Sequence, residues 1–304
     1  MTKLSGAHGG RGDRSRALVL GAGGPVGRAW EAGLMAGFAD QGIDLATADL
    51  IIGTSAGAVI GAQLALKQGF AAPAKPEAIA SGPPPLPSAG MAEMAAAMAR
   101  AARSPEPEPI RAEIGRMALA ARTVSEEASL SRSMFAPFVG QAWPSQFRAT
   151  AVNARTGQLR IWDASSGASL ERALAASTAI PGVWPPITID GERYIDGGIG
   201  GMLNADLAGG SCIVIAVSCF SLTHRGNAGA PFLTAMSAAS LAELDALRAS
   251  GAAVAMVEPH SEFLALTRHG IAMMDIGLIP EAYRLGHVAA AGEAEQLRRI
   301  WKPR

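Results

Sequence analysis

The pentapeptide Gly53-Thr54-Ser55-Ala56-Gly57 sets a serine between two glycines, after the apolar run Leu50-Ile51-Ile52 and before the helix-forming run Ala58–Gln68. In that setting G-x-S-x-G is the pattern of a nucleophile elbow. A sharp turn forces the serine into a strained conformation, and small neighbours keep strand and helix from clashing. The helix N-terminus under the hydroxyl favours negative charge there. The chemistry is nucleophilic attack by an activated serine hydroxyl. The competing reading is a plain strand–helix turn.

A serine nucleophile needs a base. In a Ser–Asp–His order the histidine would be His224, His260, His269 or His287, the four that follow Ser55. An α/β-hydrolase, however, has most of its sheet before the elbow, whereas Ser55 follows only the second expected strand. Two Asp-Gly pairs offer a carboxylate instead. Asp190-Gly191 lies between the short strands Ile187–Ile189 and Arg193–Ile195, where Asp-Gly makes a hairpin turn. Asp196 ends the second of these strands and opens Gly197-Gly198, where backbone can approach a substrate. Asp196 is therefore the candidate base and Asp190 a turn former. A carboxylate base predicts activity that persists below the pH at which a typical histidine protonates. Glu31, on the helix after the first glycine loop, reads as solvated or structural.

That loop, Gly21-Ala22-Gly23-Gly24-Pro25-Val26-Gly27, follows the apolar run Ala17–Leu20. The N–H groups of Gly23 and Gly24 can converge on one point and stabilise an oxyanion, whereas Pro25 has no N–H to offer. The rival reading is a nucleotide-binding protein that uses Gly21–Gly27 as its phosphate loop. A dinucleotide site wants an acidic residue at the end of the second strand. Here the elbow takes that place, and Asp49 lies before the strand.

Gly23-Gly24-Pro25-Val26-Gly27, Gly53-Thr54-Ser55-Ala56-Gly57 and Asp196-Gly197-Gly198 resemble, in order, the three signature blocks of the patatin-like phospholipases. Ala179-Ile180-Pro181-Gly182-Val183-Trp184-Pro185-Pro186 and Asn204-Ala205-Asp206 resemble the segments flanking that family's Asp motif. The similarity spans roughly residues 16 to 220. It implies a Ser–Asp dyad without histidine. Ser55 attacks the ester carbonyl, Asp196 takes the proton and later activates water, and Gly23 and Gly24 form the oxyanion hole. Gly27, Gly53, Gly57, Gly197 and Gly198 support the motifs. It implies a lipid or ester substrate and no metal or organic cofactor. Family members often carry Lys or Arg where this chain has Val26, and the nearest basic residue is Arg28. A catalytically silent, lipid-binding relative is a further reading.

These residues need a scaffold. Strand, glycine loop and helix occur twice, at Ala17–Gln41 and Leu50–Gln68, which favours an α/β fold with a central, largely parallel sheet flanked by helices. Gln146–Asn153, Gln158–Trp162, Ser211–Val217 and Val254–Val257 read as further strands. Leu170–Ala176, Glu126–Gly140 and Pro280–Trp301 read as helices. Residues 70–125 hold Pro83-Pro84-Pro85, prolines 105, 107 and 109, and an Ala/Met helix over Met91–Arg103. They are expected to form an inserted, mobile helical cap whose Met91, Met94 and Met98 either pack or cover an acyl-chain pocket. Met273 and Met274 receive no role. Residues 1–16 read as a flexible leader before a single domain, 17–304.

With 26 basic and 26 acidic side chains the chain has no net charge, so nothing suggests a nucleic-acid partner. The leader lacks the apolar stretch of a secretory signal. Leu50–Leu66, the longest uncharged stretch, carries three glycines in a strand–turn–helix pattern and is not read as a membrane span. Cys212 and Cys219 read as buried core thiols in a reducing compartment. The expectation is a cytoplasmic protein with peripheral contact to lipid, and no oligomeric state follows.

Overall fold

The computed structural model describes residues 15–72, 88–223 and 231–301. Most of the expected leader, Pro83-Pro84-Pro85 and His224 therefore lie outside the described residues, as does the side chain of Met91. The elements run β1 (Arg16–Leu20), α1 (Gly24–Asp40), β2 (Leu50–Thr54), α2 (Ala56–Ala65), α3 (Ser88–Ala101), α4 (Glu108–Ala120) and α5 (Glu126–Leu130). Then come β3 (Phe147–Asn153), β4 (Leu159–Trp162), α6 (Leu170–Ser177), β5 (Ile187–Ile189), β6 (Glu192–Asp196) and β7 (Ile213–Val217). The chain closes with α7 (Pro231–Ala249), β8 (Ala253–Val257), α8 (Ser261–Leu266) and α9 (Ile279–Ile300).

The strands form one mixed sheet in the order β5-β6-β3-β2-β1-β7-β8, with β4 also paired to β3. Neighbours from β3 through β2, β1 and β7 to β8 are parallel, whereas β4 and β6 run antiparallel to β3. The continuous apolar runs of the central strands follow from burial on both faces. Leu18, Leu20 and Ile51 join the core beneath α1, α2, α6 and α9, while Ala17, Val19 and Ile52 face Leu244 and Leu247 of α7. The result is a three-layer α/β fold.

Residues 88–120 form α3 and α4. Gly115 of α4 sits directly against the Ala154 backbone, where a Cβ would come within 1.8 Å of the carbonyl oxygen. Ala97, Ile114 and Ala118 pack with Val152 and Ile195, and Met94 and Met98 pack against this group. Pro109, read from sequence as part of a hinge, lies in the first turn of α4, where a missing N–H costs nothing.

Two expectations are corrected. The helix expected over Glu126–Gly140 stops at Leu130 and gives way to a 3₁₀ segment, Ser133–Phe138, that contains Pro137. Phe135 and Phe138 are fully buried, and Arg132 stacks on Trp184 at 3.9 Å, so packing there overrides helix continuation. Of the two cysteines only Cys219 is buried. Cys212 precedes β7 and is exposed.

Candidate active site

The Gly53–Gly57 turn has the geometry its sequence suggests. β2 ends at Thr54, α2 begins at Ala56, and Ser55 between them has φ 54° and ψ −113°. This backbone region is costly for a residue with a Cβ. Glycine is required on both sides. A Cβ on Gly53 would meet the Ala58 Cα at 2.4 Å, and one on Gly57 would meet the Leu20 carbonyl oxygen at 2.2 Å. The Gly57 N–H donates to the Gly21 carbonyl at 3.0 Å, which ties the elbow to the first glycine loop.

The Ser55 hydroxyl donates to Oδ2 of Asp196 at 2.7 Å, across 141 residues of sequence. The other carboxylate oxygen accepts the Gly198 N–H at 2.7 Å. Both side chains are buried, Ser55 at 4% and Asp196 at 5% exposure. Burial raises the Asp196 pKa to about 7, against the opposing pull of the Ser55 hydroxyl and the Gly198 N–H. The expectation of activity persisting in acid rests on an ordinary carboxylate, and burial moves this one toward the histidine range. A carboxylate this deeply desolvated titrates where a histidine would.

The competing pair behaves as a turn. Asp190 (φ 51°) and Gly191 (φ 76°) form the two-residue loop of the β5–β6 hairpin, in which Ile189 pairs with Glu192. Among the histidines, His260 faces Glu293 and His287 faces Asp40, both at exposed positions. His269 lines a hollow of about 270 Å³ with Ser221, Glu258 and Leu264.

In the first glycine loop, Gly21 N–H donates to the Val217 carbonyl, Ala22 N–H to Met202 and Val26 N–H to Met273. Among the described residues, Gly23 and Gly24 N–H donate to no protein acceptor. Gly24 begins α1, so its N–H lies at the positive end of that helix. Met273, which the sequence left without a role, thus braces the loop through its backbone.

Further residues hold the site and were missed. The Ser177 hydroxyl, fully buried at the end of α6, accepts the strained Ser55 N–H at 3.0 Å. Two residues on, the Ala179 carbonyl accepts the Asp196 N–H at 3.0 Å. Candidate nucleophile and candidate base thus hang from one short stretch. Asn204, in the left-handed conformation, donates to Thr54 Oγ1 at 3.0 Å and to the Gly201 carbonyl at 2.9 Å. Thr54 Oγ1 also meets Thr150 Oγ1 at 3.0 Å. Beyond Asp196, the Arg111 guanidinium of α4 donates to the Gly200 carbonyl, and Glu243 of α7 accepts the Ala205 N–H.

Ser177→Ala would leave the Ser55 N–H buried and unpaired, at a cost of about 1–3 kcal/mol. Urea denaturation should show that loss. With the elbow less firmly held, kcat should fall roughly tenfold to a hundredfold.

No metal-binding group of three or more His, Cys, Asp or Glu occurs among the described residues. None of the described helices is long and apolar enough to cross a membrane.

Residues 86–208 match the family model described as patatin-like phospholipase. That stretch contains Asp196-Gly197-Gly198 and Ala179–Pro186, and lies downstream of Gly21–Gly27 and Gly53–Gly57. No curated protein matches the chain. Among solved structures, VipD from Legionella pneumophila is similar at 13% identity and a TM-score of 0.44, over 92% of this chain and 67% of that one. The type III effector protein ExoU is similar at 13% identity and a TM-score of 0.36, over 90% of this chain and 54% of that one. The chain thus spans about two thirds of the length of the first and about half of the second. The match to the patatin-like phospholipase model thus covers the middle of the chain, residues 86–208.

Proposed function

We propose that the chain is a lipid acyl hydrolase that cleaves carboxylic esters through a Ser55–Asp196 dyad and an acyl-enzyme. The observation that carries this reading is the 2.7 Å hydrogen bond from the Ser55 hydroxyl to Asp196, made by a serine held in a strained elbow at the N-terminus of α2. Ser55 Oγ attacks the ester carbonyl as its proton passes to Asp196. The tetrahedral oxyanion is stabilised by the N–H groups of Gly23 and Gly24. Protonated Asp196 then gives its proton to the departing alcohol. In the second half, Asp196 takes a proton from water as it attacks the acyl-serine; the acyl–Oγ bond then breaks, Asp196 returns the proton to Ser55 Oγ, and the fatty acid leaves. The patatin-like domain match supports a lipid as the acyl donor.

The test is covalent labelling with a fluorophosphonate probe followed by peptide mapping. Label on Ser55 together with ester hydrolysis is the expected result. A folded protein that takes no label would be a silent lipid-binding relative.

The C-terminal end of α3 supports a role for the helical insertion at the site mouth. Met98 packs against the group formed by Ala22, Met202, Leu233 and Met236, and Ala22 belongs to the first glycine loop. An ester can reach a serine this buried only if something near it moves. Under this reading the Met98 end of α3 gives way to an acyl chain at a lipid surface. Met98→Ser should slow hydrolysis of long-chain, aggregated esters more than of short soluble ones, measured as the ratio of the two kcat/KM values. With zero net charge, binding to lipid vesicles should change little with salt.

A further inference from the structure

Glu31 is a group the proposed mechanism does not use. It lies on α1, one turn past the glycine loop, and is fully buried. Neither carboxyl oxygen has a hydrogen-bond partner of good geometry among the described residues. The Cys219 thiol and the Gly21 backbone N–H are polar neighbours of its carboxyl group. Cys219 is itself buried and lies just past β7. Its side chain fills the space under the loop. A Cβ on Gly23 would meet the Cys219 sulfur at 2.5 Å, and one on Gly27 would meet it at 2.9 Å. The stretch Gly21–Gly27 therefore rests on a thiol, and the thiol on a carboxyl group.

We propose that Glu31 and Cys219 are positioning residues that form the floor of the glycine loop and hold Gly23 and Gly24 in oxyanion-stabilising geometry. This rests on the hydrolase reading above. A buried carboxyl beside a thiol is an expensive way to fill space, because an alkyl side chain of similar volume would carry no desolvation penalty. Its use becomes clear from charge. A neutral carboxyl can fill the space beside Gly21 and Cys219 beneath the loop. An ionised one at the same place would oppose the negative charge that develops just above it in the transition state. Burial favours the neutral form of both groups, pushing the Glu31 carboxyl well above 4.5 and the Cys219 thiol well above 9.0. On α1 itself, Arg28 stands three residues before Glu31. Cys219 faces it from the β7 side, and α2 brings no ionisable side chain. On α9, Tyr283 and His287 lie along α1 at Gly33 and Gly37, and His287 is engaged by Asp40.

The test compares wild type, Glu31→Gln and Glu31→Ala on a short soluble ester, with kcat and KM followed from pH 6 to 10. Glu31→Gln keeps shape and neutrality, so near neutral pH it should retain at least about half of the wild-type kcat. It should also lack the alkaline fall in kcat that ionisation of Glu31 brings to the wild type. Glu31→Ala should lower kcat at least about tenfold with little change in KM, as expected for an interaction felt only in the transition state. Glu31→Gln losing as much as Glu31→Ala would overturn the proposal, since the charged form would then be the one required. So would an alkaline limb identical in wild type and Glu31→Gln, which decides the matter even if Glu31→Ala does not fold. A second readout is independent of turnover. The Glu31 pKa is higher folded than unfolded, so its ionisation opposes folding, and wild-type stability should fall relative to Glu31→Gln as pH rises above 4.5. Parallel Tm curves would refute a neutral Glu31. A wild type with this stability signature but no esterase activity would instead sink the hydrolase reading.

Discussion

Ser55→Ala is expected to abolish ester hydrolysis and fluorophosphonate labelling while leaving the fold intact. The loss in kcat should be at least about a hundredfold, since removal of a serine nucleophile commonly costs far more. Ala has a Cβ like Ser, so it inherits the strained backbone at φ 54° without relieving it. That gives the experiment an internal control. Ser55→Gly removes the same hydroxyl and also the Cβ, so it should be equally inactive. Exchanging Ala for Gly usually costs about 0.5–1 kcal/mol. Here the penalty should vanish or reverse, because strain of about 1–3 kcal/mol is released. Matched urea melts of the two variants would decide it. If Ser55→Ala kept more than about a hundredth of wild-type turnover, Ser55 would not be the nucleophile.

Asp196→Asn should be nearly as inactive as Ser55→Ala, by roughly a thousandfold or more in kcat, because the amide cannot accept the serine proton. Substitution of Asp190 by Asn should mainly perturb the β5–β6 turn. The pH profile follows from burial. Wild-type kcat/KM should fall as pH drops through about 7, where the Asp196 carboxylate becomes protonated and can no longer act as base. Stability carries the opposite sign. The folded pKa lies above the unfolded value of 3.8, so ionising Asp196 weakens the fold progressively between about pH 4 and pH 7. At one pKa unit per 1.36 kcal/mol, the cost above pH 7 is on the order of 4 kcal/mol. Asp196→Asn should therefore have a higher Tm than wild type at pH 8, with the two converging toward pH 4. A variant that lost activity but gained no stability would show that the carboxylate is less desolvated than its 5% exposure implies.

The parts of the site that were legible in the sequence are those fixed by backbone sterics. Gly53 and Gly57 could be read because only glycine fits where α2 crosses β1 and β2 so closely. Asp190 could be told from Asp196 because a two-residue hairpin demands positive φ at both positions. Ser177 could not be read. Its role comes from a contact 122 residues away, and nothing local separates it from any other helix-terminal serine. Cys219 and Met273 were opaque for the same reason, since they serve through their place beneath and beside the glycine loop. In the fold, α4 and α7 were missed. The prolines before α4 read as breakers although one of them occupies a permitted helix start. α7 offered only an Ala/Leu/Ser-rich stretch without a sharp apolar stripe. Burial decided what pattern could not, as with Glu31, which by residue type reads as either solvated or structural and is fully enclosed.

The shared suspension of Ser55 and Asp196 from Ser177 and Ala179 works as a gauge block. The two side chains of the proposed dyad come from different strands, with β3 between β2 and β6. Each would drift with its own strand if anchored separately. Because both amides are tied to the same three residues, a translation of that stretch is common to the two arms and cancels in their separation. Slow breathing of α6 can therefore be absorbed without detuning the proton transfer. A one-residue insertion or deletion between Ser177 and Ala179 cannot, because it alters the gauge itself.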